Sequence, residues 1–152
     1  MLRERFNEDL KTAMKARDQA AVSTLRMITS GLKDRDIAAR PKGVTQVDES
    51  EIVDMLQKMV RQRQESIELY KKGNRPELVA QEQGEIDIIS GYLPKQMSDS
   101  EIVDTVAALV KETGATAMKD MGRVMAAIKE RYAGKLDTGK ASAAVKKLLS
   151  GG

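Results

Sequence analysis

The ten residues from Leu93 to Ile102, "LPKQMSDSEI", decide how this chain is organised. Proline lacks an amide donor and its ring clashes with the preceding helical turn, so Pro94 stops the helix that leads up to it. Ser98 and Glu101 then stand at the spacing of a capping box, in which hydroxyl and carboxylate satisfy each other's exposed backbone donors. Ile102 begins an apolar run immediately afterwards. One helix therefore ends and another starts within ten residues, which places a domain boundary at Pro94.

Downstream of that boundary the pattern gives three short helices, at 98–113, 118–132 and 137–150. Gly114 and Gly134 end the first two, and Asp137 or Thr138 caps the third. None is long enough to be stable alone, so the apolar faces must share a core. Those faces are Ile102, Val106 and Leu109; Met121, Val124, Met125 and Ile128; and Val145, Leu148 and Leu149. Residues 94–152 are expected to form a small three-helix domain.

Upstream, apolar residues also recur at helical spacing: Leu2, Phe6, Leu10 and Ala13, then Val22, Leu25, Ile28 and Leu32. A longer stripe runs through Ile52, Leu56, Met59, Ile67 and Tyr70, with Gln62, Gln64, Glu65 and Glu68 on its other face. Gly73 after two lysines reads as a left-handed helix stop, and Asn74 with Pro76 opens a fourth helix through "ELVAQEQGEIDIISGYL". Around "RPKGVTQVDES" the periodicity lapses, which reads as a flexible connection. Residues 1–93 are expected to form a four-helix unit. Scarce aromatics and abundant Ala, Met, Leu, Lys and Glu agree with an all-α fold.

The chain contains no Cys and no His, which removes thiolate chemistry, disulfides and the commonest general base and metal ligands together. Ser23, Ser30 and Ser66 have no histidine to activate them, so no catalytic site is expected, and no cofactor. Asp48, Glu49, Glu51 and Asp54 form an acidic group, but acids at a helix start complement its dipole. The methionines read as core filler. No apolar run approaches the roughly 20 residues of a spanning helix. The first residues lack a secretory apolar segment, so cytoplasmic residence is the expectation.

One stretch imitates a nucleotide site. "GKLDTGKAS", from Gly134, matches G-x-x-x-x-G-K-[ST] at Gly134, Gly139 and Lys140, but Ala141 stands where the magnesium-binding hydroxyl belongs. A P-loop also joins a strand to a helix, whereas this stretch joins two helices. Its lysine belongs instead to a wider asymmetry. From Lys119 onward eight basic residues face three acidic ones, a net +5, while the first 118 residues hold eighteen basic and twenty acidic, a net −2. Concentrated cations beside glycine turns suit a polyanion. Lysines that only solvate helix faces would give the same count. Tyr132 is the one aromatic in this region, so recognition of backbone or shape fits better than base stacking.

Three segments, "TLRMITSGLKDRDI", "RQRQESIELYKKGNRPELVAQEQGEIDIISGYLPKQMSDSEI" and "MKDMGRVMAAIKERYAGKLDTGKASAAVKKLL", resemble the YqeY, or GatB/YqeY-domain, proteins in the expected order over nearly the whole chain. The resemblance implies a small, all-helical, cytosolic and mostly bacterial protein of four plus three helices. It also implies kinship of the last three helices with the tail of the B subunit of the glutamine-dependent aspartyl/glutamyl-tRNA amidotransferase. There the tail is an appended tRNA-contacting module, and the chemistry lies in domains this chain lacks. The match falls on Met121, Gly122, Arg123, Val124 and Met125, then on Gly134, Lys135, Gly139 and Lys140. The expectation is a non-catalytic accessory protein of translation that binds tRNA. Its candidate contacts are Arg123, Lys129, Arg131, Lys135, Lys140, Lys146 and Lys147, with Gly134 and Gly139 shaping the turn. The competing expectation is a protein-interaction adaptor that docks on a translation enzyme through residues 48–93.

Overall fold

A computed structural model describes residues 1–151 of the chain. Seven α-helices and two 3-10 turns account for the regular structure, and no strand occurs among the described residues. The helices are α1 (Leu2–Ala16), α2 (Gln19–Ala39), α3 (Glu49–Lys72), α4 (Pro76–Ser90), α5 (Asp99–Thr113), α6 (Met121–Tyr132) and α7 (Thr138–Leu149); the 3-10 turns are Arg40–Lys42 and Met118–Asp120. They fall into two compact units, Met1–Leu93 and Pro94–Gly152. No helix among the described residues is long and apolar enough to cross a membrane.

In the first unit the apolar stripes turn inward as one core. Phe6, Ile28, Leu56 and Ile89 are fully buried there, each contributing about 1.5–3 kcal/mol relative to exposure. The Phe6 ring meets Tyr92 edge-on at 4.9 Å, and Arg5 lies over the Tyr92 ring at 4.8 Å. The Tyr92 hydroxyl donates to Asp9, so α1 holds the residues that follow α4.

Two sequence expectations change here. The connection after α2, expected to be flexible, is clamped: Arg3 donates to both carboxylate oxygens of Asp36 at 2.8 and 2.7 Å and to the Val47 carbonyl at 2.8 Å. Asp36 in turn accepts the Val47 N–H at 2.9 Å, and the Val47 side chain is buried in the core. The Arg3 guanidinium, aided by the Val47 amide, lowers the Asp36 pKa to about 2 against the opposing effect of burial. The left-handed residue after α3 is Asn74 at φ 53°, while Gly73 keeps φ −84°. Asparagine tolerates that region better than most residues because its short amide can bond locally.

The acids at the start of α3 act on the fold. Asp48 accepts the Glu51 N–H as N-cap, and Glu49 accepts the Leu2 N–H at 3.0 Å. Further along, Arg63 of α3 donates to Glu85 of α4 at 2.9 Å, with both side chains largely covered.

The second unit has its own core of Ile102, Val106, Leu109, Val124, Ile128, Leu136, Ala141, Val145 and Leu149. Its entry is the capping box read from the sequence: the Ser98 hydroxyl accepts the Glu101 N–H and the Glu101 carboxylate accepts the Ser98 N–H. Leu148, expected on the apolar face of α7, is 41% exposed. Val145 and Leu149, expected on the same face, are buried, because 100° per residue turns these two to one side.

Candidate nucleic-acid interface

The turn that imitates a P-loop has another use. Asp137 caps α7, its carboxylate accepting the N–H groups of Gly139 at 2.7 Å and Lys140 at 3.3 Å. The amides that a phosphate would need therefore already have an anion. Leu136 is buried, which anchors the turn in the core. Its carbonyls grip the segment that enters the unit: Met97 N–H donates to Lys135 O at 2.8 Å, and the Gln96 amide to Gly134 O at 2.6 Å. The Lys140 ammonium lies 2.9 Å from Asp99. Gly134, at φ 76°, supplies the left-handed bend that makes this possible. The turn is a clasp between the first residues of the unit and its last helix hairpin.

The candidate cations divide into two sets. Arg131 forms a two-pronged bridge to Glu112 at 2.8 Å for each arm. That bond draws the Glu112 carboxyl below its ordinary pKa. Arg123 lies 3.4 Å from Asp120, whose carboxylate is already held by the Thr116 and Ala117 amides. Lys140 is held by Asp99 as described. Lys129, Lys135, Lys146 and Lys147, by contrast, are exposed and make no ion pair among the described residues.

The unpaired set is not one cluster. Five residues connect α6 to α7, and α7 packs on α6 and also on the 3-10 turn that precedes it. The two helices are therefore antiparallel, each about 18 Å long at 1.5 Å per residue. Lys129 and Lys135 lie toward the connecting turn, and Lys146 and Lys147 toward the opposite end. Lys119, one turn before Arg123 and exposed, joins that far end. Sequence reasoning counted its charge but did not select it; its i, i+4 relation to Arg123 was the available signal.

Counted over the whole second unit the charge is smaller than over its last 34 residues. Ten basic residues face seven acidic ones, a net +3, because Asp99, Glu101, Asp104 and Glu112 precede the basic stretch. The acids are mostly engaged, however. Asp99, Glu112 and Asp120 hold cations, while Glu101 and Asp137 cap helices. Asp104 and Glu130 do neither among the described residues, and both are exposed. Against those two stand seven lysines without an ion pair among the described residues: Lys95, Lys111, Lys119, Lys129, Lys135, Lys146 and Lys147.

Comparison with protein families matches residues 3–149 to the family described as Yqey-like protein. The chain belongs to that family. Among curated proteins it is similar to "Altered inheritance of mitochondria protein 41, mitochondrial" of several fungi. With that of Lachancea thermotolerans it shares 39% identity over 109 residues, 70% of this chain and 57% of the relative. With that of Saccharomyces cerevisiae it shares 38% over 94 residues, 62% and 49% respectively. With that of Pyrenophora tritici-repentis it shares 31% over 132 residues, 84% and 71%. The chain spans about half the length of the first two.

These matches correct two expectations. The relatives are fungal, not bacterial, and mitochondrial by name, not cytoplasmic. The cytoplasmic reading rested on the lack of an apolar secretory segment. That criterion is blind to mitochondrial addresses, which are amphipathic and basic.

Proposed function

We propose that this Yqey-like protein is a non-catalytic accessory protein that binds the phosphate backbone of folded RNA, tRNA in particular, through residues 94–152. The observation that supports this reading is the imbalance among the described residues of the second unit: seven lysines without an ion pair against two carboxylates that hold neither a cation nor a cap. Such lysines gain most from releasing the counterions of a polyanion. Lysine contacts of this kind position RNA without reading its bases. Their spread to both ends of the α6–α7 hairpin suits phosphates on separate strands of a helix recognised by shape. The choice of tRNA follows from the resemblance of this unit to the amidotransferase tail. The absence of Cys and His from the sequence favours binding over chemistry.

Docking of a protein on residues 48–93 is the competing reading, and Leu69 on α3, 68% exposed, favours it. A single exposed leucine is ordinary on protein surfaces, so it carries less. Titration of labelled tRNA at several salt concentrations separates the two. Contacts by Lys129, Lys135, Lys146 and Lys147 should give log affinity against log salt a slope of about −3, at roughly 0.7–0.9 per phosphate. A flat dependence, or no binding at low salt, contradicts the RNA reading.

A further inference from the structure

We infer that the groove between α1 and α2 binds a small molecule with a terminal oxyanion, a carboxylate or a phosphate, gripped by Lys33 and Arg3. The inference goes beyond the RNA reading, since it concerns the first unit and none of residues 94–152. Helical spacing builds the groove. α1 presents Arg3 and Asn7 one turn apart, α2 presents Thr29, Lys33 and Asp36 at successive turns, and the connection after α2 adds Gln46. The cavity measures about 370 Å³, within the range of small-molecule sites, and the buried side chains of Phe6 and Leu32 lie at its base.

What remains free along this groove is mainly a set of donors. Arg3 spends three of its five N–H groups, two on Asp36 and one on the Val47 carbonyl, so its Nε–H and one N–H of Nη1 have no partner among the described residues. Lys33 is exposed and has neither an ion pair nor a hydrogen bond among those residues. The side-chain amides of Asn7 and Gln46 are equally uncommitted and can serve as donors. The carboxylates, by contrast, are engaged. Asp36 accepts both Arg3 bonds and the Val47 N–H, and Glu4, with its side chain 71% exposed, lies 3.3 Å from the amino-terminal ammonium. A ligand that brings acceptors and negative charge matches what is left. A cationic ligand would meet Lys33 and no unengaged carboxylate.

The groove is also held in shape independently of any ligand. The clamp of Arg3, Asp36 and Val47 fixes both the guanidinium and the connection that carries Gln46, so little ordering has to accompany binding. Asp36 is kept ionised by Arg3, with its pKa at about 2, and Arg3 is held above its ordinary value chiefly by the same hydrogen bond. Shifted titratable groups that face a cleft mark candidate functional places.

Three probes that share a hydroxylated three-carbon body test the inference: glycerol, glycerate and glycerol 3-phosphate. Each is titrated into the isotopically labelled full chain at constant ionic strength and followed by nitrogen–proton correlation NMR. Saturable shifts at the Asn7, Gln46 and Val47 amides are expected with one or both anions and not with glycerol. The anion that binds more tightly names the class of head group. Lys33→Ala should weaken that binding about tenfold, the loss of one hydrogen bond to a charged group. Lys58→Ala, an exposed lysine of α3 that does not line the groove, makes the same change in net charge and should leave it intact. Circular dichroism of both variants checks that the helices persist. No saturable shift with either anion, the same shifts with glycerol, shifts confined to residues 94–152, or equal weakening in the two variants would each overturn the inference. None of these outcomes bears on tRNA binding by the second unit, which is read separately from its salt dependence.

Discussion

The two units are built alike from amphipathic helices, yet they use charge differently. In Met1–Leu93, sixteen basic and sixteen acidic residues balance, and the best-formed ion pairs lie partly inside. Arg3 with Asp36 secures a connection, and Arg63 with Glu85 joins α3 to α4. In residues 94–152 the ion pairs are largely exposed, and a surplus of lysines stays in solvent. Charge that is covered by neighbours serves the fold. Charge left in water without a partner is available for something else.

The largest expected effects test whether each unit owns its core. Phe6→Ala should cost about 3–5 kcal/mol and Leu136→Ala about 2–5 kcal/mol, because both side chains are fully buried. Amide exchange should accelerate mainly in the core that contains the substitution. Equal acceleration in both cores would break the division into two units.

Next comes the Arg3–Asp36 clamp. Asp36→Asn removes a charged acceptor of three donors and should cost about 2 kcal/mol by urea denaturation. Because the folded pKa is lowered, to about 2, this stability is present above the ordinary carboxyl range and disappears as pH falls from about 4 toward 2. The variant should lose that dependence in the same window. A variant as stable as the parent at neutral pH would show that the clamp is ornamental.

A smaller effect of opposite sign is expected at Glu82. Burial, then the neighbouring Glu85, raises its pKa, so the folded chain prefers this carboxyl protonated. The contribution is present below the ordinary carboxyl pKa and is lost as pH rises through the folded value. Glu82→Gln should therefore stabilise the chain at pH 7 and make little difference at pH 4. The reverse order of melting temperatures would contradict the assignment. Smallest of all, Glu112→Gln should leave the melting temperature unchanged, since its bridge to Arg131 is exposed.

The fold was legible because its signals are local. Proline and a capping box mark the boundary, and the stripes through Val22–Leu32 and Ile102–Leu109 need only helical periodicity to be read. The clamp on Val47 was not legible, since Arg3 and Asp36 are 33 residues apart and neither is unusual in its own neighbourhood. The same limit applied to the cations. Sequence gave Arg123, Arg131 and Lys140 the same standing as Lys129 or Lys147, but Glu112 lies nineteen residues from Arg131 and Asp99 forty-one from Lys140. Only the folded chain separates held cations from free ones. The missed P-loop hydroxyl at Ala141 was readable from sequence; the capture of the Gly139 and Lys140 amides by Asp137 required the structure.

The most direct measurement compares tRNA affinity at low salt for two full-length variants of equal net charge. In one, Lys129, Lys135, Lys146 and Lys147 are replaced by Ala; in the other, the exposed first-unit residues Lys11, Lys33, Lys58 and Lys72 are. Loss of binding and of salt dependence in the first variant, with both retained in the second, is the predicted result. Equal losses in the two, or none in the first, would contradict a working cationic surface on residues 94–152.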